Sequence, residues 1–523
     1  MNRVPARFLA TAASPSLRHH LAAYKRLRIR TEKEIENSYP LICNYLENPK
    51  LADPVEELVI YNEYWSRYAV YDGLIKNLSP KQDALPVRQE AHAAFATHIA
   101  GLGLSKPITA RMLDVLEWKK KHLGLRPDIP GGYTAANVEY AEIAVIMLLS
   151  LCKNITRFQC GSIGGSINRT AFLHEYLLAN NYDAIPSPAL QSLEVLTVYP
   201  GGALDEREYD STAFLETMRR FHRLPRLSAI VMDGVCDYQD NDRVVLPAGA
   251  GTFSKLEFHH GDIPSPLMGT MIRVSKGLEE FSLKPGGLWT HDSADETVGL
   301  KTVGKCLLEQ RTTLRKLDID VAQGMIQSSG EEEEPVEDYV GNGPDEATRI
   351  LEGQMDRWCR IDERDGRPGP LWPADLPDTR KYGYGLGSLH DFEALTHLRI
   401  SLEALLGIVP PWLHVPKGTK RPELPFRLVD GLPPSLERLV LYGYKRGANP
   451  EMDEQVDELL AQKDKRFPKL KEVHGVEETI GGMVEGLLLK ADKLAEENGG
   501  ETEPEDTLWS RPDHRDDPGW VRA

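Results

Sequence analysis

The sequence predicts an α/β solenoid, with parallel strands on a concave face and helices outside. Three observations predict it. A short apolar-x-x-apolar-x-apolar motif returns along the chain. A helical pattern often precedes it, and proline punctuates the passage from helix to strand.

The motif reads YKRLRI from Tyr24, VEELVI from Val55 and ITRFQC from Ile155. It then reads LQSLEVLTV with Leu193, Leu196 and Val198, LSAIVM from Leu227, FSKLEF from Phe253 and LEEFSL from Leu278. LRKLDI from Leu314, LTHLRI from Leu395, LERLVL from Leu436 and a partial LKEV from Leu470 complete it. Such a pattern alone arises by chance on the order of twenty times in a chain this long. Its spacing sets it apart: from Tyr24 the starts step by 31, 100, 38, 34, 26, 25, 36, 81, 41 and 34, and most of these fall in or near the range of repeat arrays. The two long steps require insertions or hidden repeats.

Helical spacing of apolar residues precedes several strands, as in AEIAVIMLLSLCKN, TAFLETMRRFHR, VGLKTVGKCLLEQ and DEQVDELLAQKDK. Between helix and strand lie Pro225, Pro434 and Pro468. Proline ends a helix and is tolerated at a strand entrance. A unit of one helix and one short strand cannot bury its apolar face alone, whereas stacked units bury it in one continuous core. The fold predicted is therefore an irregular leucine-rich-repeat solenoid, a horseshoe. The Asn or Cys that many leucine-rich repeats place eight residues after the first Leu is missing here. Gly201, Val235, Gly286, Ala322, Glu403 and Tyr444 stand instead, so the usual Asn ladder is not available to satisfy backbone groups.

Composition sets bounds on the function. The 523 residues carry a net charge of -17, which argues against nucleic acid as the main partner. No uninterrupted apolar run is long enough to suggest a membrane span. Six scattered cysteines without CxxC pairs read as free thiols of a reducing compartment, cytoplasmic or nuclear. The start has no Asp or Glu before Glu32 and is rich in Arg. It reads either as a basic helix leading into the repeats or as a mitochondrial transit peptide.

Three stretches resemble the fungal F-box and leucine-rich-repeat proteins. They are RFLATAASPSLRHHLAAYKRLRI (7–29), ICNYLENPKLADPVEELVIY (42–61), and DFEALTHLRI (391–400) together with LPPSLERLVLYGY (432–444). In that family a helical F-box precedes the repeats; here the first stretch resembles only the exit from it, and the F-box itself is absent or truncated. The resemblance implies a substrate-recognition role in a ubiquitin ligase, with the ligase adaptor as a partner.

The solenoid is expected over 1–480, interrupted by an acidic loop near 323–345 that includes EEEEPVED. A helix is expected at 345–362, and an aromatic segment with Trp372, Tyr382 and Tyr384 is expected to pack back on the repeats. A capping helix is expected near 481–497, and a disordered tail over 498–523. Helices near 87–102 and 108–123 are expected inside the long second step.

Classical chemistry is hard to find. GSIGGS (161–166) lacks the Lys of a phosphate-binding loop and reads as a turn. DYQDND (237–242) lacks the Gly and distal Glu of a calcium loop. His259-His260 has no companion Cys or second His pair, so no metal site is expected. No cofactor and no catalytic residue is assigned. A hydrolase on a solenoid scaffold stays as the alternative, since scattered carboxylates could pair in a cleft.

The expected function is binding of another protein. In a strand, residues between the core positions point to the opposite face. That rule places Arg26, Arg28 and Arg30 together as a basic patch. It adds Tyr61, Arg157, Gln159, Thr197, Tyr199, Lys316, Asp318, Asp320, His397, Arg399, Arg438 and Tyr442 to one open lane, rich in the Tyr and Arg that dominate binding hot spots.

Overall fold

The computed structural model describes residues 23–62, 65, 69–70, 78–80, 88–123, 125–127, 133–161, 163, 172–199, 210–211, 214–236, 243–261, 265–285, 299–321, 359–361, 374–376, 385–407, 424–481 and 519–523. The acidic loop, the aromatic segment, nearly all of the expected capping helix and of the helix expected at 345–362, and residues 1–22 of the basic start lie outside these residues. The protein is α/β and its strands are mostly parallel. It forms two compact units: Met1–Ala203 with Arg223–Leu227 and Asp513–Ala523, and Leu204–His222 with Ser228–Pro512.

In the first unit the principal strands are β1 (Tyr24–Ile29), β2 (Glu57–Ile60), β3 (Arg157–Cys160) and β4 (Val195–Val198). They pair in chain order, each parallel to the next. β2 pairs directly with β3, Glu57 opposite Arg157, so the long second step of the sequence pattern is an insertion and hides no further strand of this sheet. Register aligns Leu27, Leu58, Phe158 and Leu196 in one row, and all four are buried.

The second unit holds β5 (Ala229–Asp233), β6 (Lys255–Gly261), β7 (Glu280–Pro285), β8 (Lys316–Ile319), β9 (His397–Ser401), β10 (Arg438–Tyr442) and β11 (Glu472–His474). These too are parallel and follow chain order. Two core rows run across them. Ile230, Leu256, Phe281, Leu317, Leu398 and Leu439 form one; Met232, Phe258, Leu283, Ile319, Ile400 and Leu441 form the other. Each residue is at most 2% exposed. At roughly 1.5–3 kcal/mol per buried large apolar side chain, these rows are the main favourable term in holding the strands in register. β8 pairs directly with β9, so the 81-residue step is also an insertion.

Helices of the first unit cover the buried face of its sheet. They are α1 (Glu32–Glu47), α2 (Gln89–Ala100), α3 (Lys106–His122), α4 (Ala135–Leu151) and α5 (Phe172–Asn181). A capping box starts α1, with Thr31 and Glu34 satisfying each other's backbone N–H groups. α4 is apolar on every side and almost wholly buried, as such a helix must be. α2 and α3 fall where the helical periodicity predicts them. They join α1 and α4 through buried polar contacts. The Tyr39 hydroxyl and His92 Nδ1 lie 2.9 Å apart, and His92 Nε2 lies 2.6 Å from Glu117. Lys119 is buried against Glu36 and Asn137, with its ammonium over the Tyr140 ring. In the second unit the helices are α6 (Phe214–Arg219), α7 (Ser265–Val274), α8 (Leu300–Leu308), α9 (Leu402–Leu406), α10 (Leu428–Gly431) and α11 (Pro450–Arg466). No helix among the described residues is long and apolar enough to cross a membrane.

Buried amides and hydroxyls between and within the elements satisfy buried backbone groups. Gln310 is the clearest case: its carbonyl accepts the Leu278 N–H at 3.0 Å, and its amide donates to the Ile272 and Ser275 carbonyls at 3.3 and 3.2 Å. Ser275 donates to the Phe253 carbonyl at 2.6 Å, Gln455 accepts the Leu428 N–H at 2.8 Å, and Asn180 accepts the Ala189 N–H at 2.6 Å. Gln310, Ser275 and Gln455 thus satisfy buried backbone groups of the preceding segment, and Asn180 one nine residues on in its own.

Of the disordered tail expected over 498–523, residues 498–518 lie outside the described residues, and residues 519–523 are ordered instead. β12 (Val521–Arg522) pairs antiparallel with β1 and covers its outer edge. The Trp520 indole N–H donates to the Arg28 carbonyl at 2.7 Å, and its ring meets Tyr24 edge-on at 5.2 Å. Polar composition around this segment masks a single aromatic anchor.

Candidate functional site

On the open face of the second unit, register stacks polar side chains in lanes. One lane reads Lys255, Glu280, Lys316, His397, Arg438 and Glu472. The next reads Glu257, Ser282, Asp318 and Arg399. Together with His259 and Lys284 these residues, Lys255 and Glu472 excepted, line an open hollow of about 380 Å³ across β6 to β10.

Charges pair across and along the strands. Lys316 Nζ lies 2.6 Å from Glu280 on the neighbouring strand, and Lys255 Nζ lies 2.7 Å from Glu257 on its own strand and 3.8 Å from Glu280 on the next. Asp318 is the hub: Lys284 approaches it at 3.4 Å and Arg399 at 3.7 Å, and the Tyr442 hydroxyl donates to it at 2.8 Å. The Arg399 guanidinium lies over the Tyr442 ring at 5.4 Å. Burial, together with the neighbouring Asp318 carboxylate that accepts its proton, holds the Tyr442 phenol far above its ordinary range, so it stays a donor. Arg438 pairs with Glu472 at 3.2 Å. His259 Nε2 stands 3.5 Å from the Ser282 hydroxyl and 3.8 Å from Glu257.

Of the residues singled out from sequence, Lys316, Asp318, His397, Arg399 and Arg438 come together here, and Tyr442 supports them from the side. Asp320 does not join them. It follows the end of β8 and is buried, so it is not a solvent-facing lane residue. Tyr442 and Val440 are also buried, and at the end of β10 the chain after β11 pairs alongside: Tyr442 bridges to Ile480, whose carbonyl accepts the Gly443 N–H.

In the first unit the predicted basic patch is internally engaged. Arg26 pairs with Glu57 at 3.3 Å and donates to the Gly519 carbonyl. Arg28 binds Glu34 through two nitrogens at 2.7 and 2.9 Å, and Arg30 lies over the Tyr61 ring. Tyr61 and Tyr199 are buried, because strict alternation stops at the strand end where each tyrosine sits. Arg157 is exposed, Gln159 reaches the Tyr61 hydroxyl at 3.5 Å, and Thr197 is half-buried.

Glu257, His259, Glu280, Ser282 and Lys284 of the hollow were not singled out from sequence. The signal was present, since Glu257, Glu280 and Ser282 hold the same alternating positions in FSKLEF and LEEFSL as Lys316 and Asp318 hold in LRKLDI, and His259 and Lys284 continue the alternation one residue past each motif. Among the described residues, no group of three or more His, Cys, Asp or Glu could hold a metal ion. The described cysteines with placed side chains, Cys43, Cys152, Cys160 and Cys306, are buried free thiols, and burial pushes the Cys43 thiol up to about 12.

Fold and site together define an α/β protein of sequentially paired parallel strands with a charged, open sheet face. Comparison of the sequence with known families and with characterised proteins finds no match.

Proposed function

We propose that the chain is an irregular leucine-rich-repeat solenoid, horseshoe-like with its helices outside, which acts by binding another protein on its open sheet face. The observation that carries this reading is the hollow across β6 to β10, where five adjacent repeats contribute side chains to one surface. The strict chain-order pairing of β5 to β11 supports the repeat reading. The charged groups of the hollow are held by one another across strands, an arrangement suited to presenting a fixed surface. The resemblance to F-box and leucine-rich-repeat proteins makes substrate recognition for a ubiquitin ligase, in the cytoplasm or nucleus, the use proposed for this surface.

The test is affinity capture from the native host with the intact chain and with a variant carrying Arg399→Glu and Arg438→Glu. A partner recovered by the first and lost by the second supports the reading. A partner retained equally by both places binding elsewhere. Recovery of a ligase adaptor and cullin supports the ligase role, and a stable partner recovered without them sinks that role alone.

A further inference from the structure

The hollow presents its two signs of charge unequally. The side chains of Lys316, Arg399 and Arg438 are 54%, 47% and 48% exposed, whereas that of Asp318, which holds Arg399, is only 18% exposed. Asp318 lies beneath Arg399, while Glu280 and Glu472, 33% and 54% exposed, stand beside Lys316 and Arg438. Asp318 is already supplied by Tyr442, Lys284 and Arg399, so it serves as a fixed counter-charge that aims Arg399 outward.

The guanidinium groups keep donors for an incoming partner. The 3.7 Å approach of Arg399 to Asp318 is longer than a hydrogen bond, and among the described residues its other contact is the face of Tyr442. Arg438 Nε lies 3.2 Å from Glu472. A guanidinium has five N–H donors and binds carboxylates through two at once. These cations stand on a chain of net charge -17.

Resting on the reading above, we infer that the face formed by β8, β9 and β10 receives a carboxylate-rich, extended segment of the partner protein, seated on Lys316, Arg399 and Arg438. The spacing suits such a segment. Lys316 and Arg438 stand two strands apart in register, roughly 9–10 Å at about 4.8 Å per strand, with His397 between them. Arg399 lies two residues along β9 from His397, about 6.6 Å, which is also the distance between same-side residues of an extended peptide. Lys316 and Arg438 therefore each stand one strand over and two residues along from Arg399, roughly 8 Å, a triangle that the flexible acidic side chains of one extended segment can span.

The experiment is a fluorescence-anisotropy titration of the full chain with fluorescein-labelled hexaglutamate, hexalysine and a thymidine hexanucleotide. The expected result is preferential binding of hexaglutamate, weakened at least about tenfold by the combined Lys316→Gln, Arg399→Gln and Arg438→Gln variant. Raising salt from about 50 to about 500 mM weakens it further. A control variant removing exposed Lys33, Lys50 and Lys121 stays within about twofold of the unmodified chain, which separates local recognition from net charge. Equal hexaglutamate affinity in the unmodified and triple-glutamine chains overturns the inference, as does tighter binding of hexalysine or of the oligonucleotide. If that occurs while captured partner is still lost on charge reversal at Arg399 and Arg438, the binding surface stands and only its acidic-segment chemistry falls. If partner capture also survives charge reversal, the proposed surface falls as well.

Discussion

Replacing Gln310 with Met tests whether single buried amides hold the repeats together. Methionine keeps the volume and apolar stem but provides no amide. The Leu278 N–H then loses its 3.0 Å acceptor, and the Ile272 and Ser275 carbonyls lose their donor. A buried N–H left without a partner costs about 1–3 kcal/mol, and carbonyls tolerate the loss better because each has two lone pairs. The expected total is about 2–4 kcal/mol. Because a chain of two units need not unfold in one step, the assay is hydrogen exchange at the Leu278 amide, read by mass spectrometry on peptides covering it. Destabilisation of about 2 kcal/mol speeds exchange roughly thirtyfold. Glu280, Ser282 and Lys284 of β7 follow directly, so hexaglutamate binding should weaken as well. Exchange at Leu278 within about threefold of the unmodified chain would refute the claim that this amide satisfies a buried backbone N–H.

Gly304→Ala in α8 should lower the melting temperature, at a cost of about 1–3 kcal/mol, because its new methyl would fall on the Leu386 carbonyl; an unchanged melt would show that the helix and the 386 segment can separate freely. Tyr442→Phe removes the donor to Asp318 and should cost about 1–2 kcal/mol. It should also weaken hexaglutamate binding several-fold by loosening Arg399, and intact binding would deny Asp318 its orienting role. Burial pushes the Glu142 carboxyl up to about 8 even though it accepts the Leu173 N–H at the start of α5. Between the ordinary carboxylate range and about 8 the folded chain keeps this proton and the unfolded chain does not, so stability falls as pH rises through that window. Glu142→Gln should therefore melt increasingly above the unmodified chain from about pH 5.5 to about pH 8.5 in calorimetry, and a pH-independent difference would contradict the shift.

The strands were legible because their signal is local. From Val55 to Leu470, every motif start lies two residues ahead of an observed strand. Leu317, Leu398 and Leu439 share a row because parallel register carries the same motif position from repeat to repeat. Half of the hollow was legible by the same alternation, and the other half obeyed it without being singled out. What alternation could not show is which lane residues would be covered. Tyr61, Tyr199 and Asp320 sit at or beyond strand ends, where the rule loses force, and Tyr442 is buried with its hydroxyl on Asp318, two strands away. Nor could sequence join Tyr39, His92 and Glu117, which come from three helices and meet only in the packed layer. Arg26 and Arg28 read as a surface patch because Gly519 and Glu34, which occupy them, carry no mark of pairing in the sequence.

The pairing of β12 with β1 has a consequence in time. The two segments are separated by 493 residues, as the Arg26–Gly519 contact records. At about 5–20 residues per second, a ribosome needs roughly 25–100 seconds to reach the covering segment after it has made the strand. Through that interval the outer side of β1 presents unpaired N–H and C=O groups, a template for any other extended chain. Neighbouring nascent chains on one messenger carry the same open template at staggered stages of completion. The first repeat is therefore where a holdase would be most needed, and where exchange of the closing segment between two copies would begin.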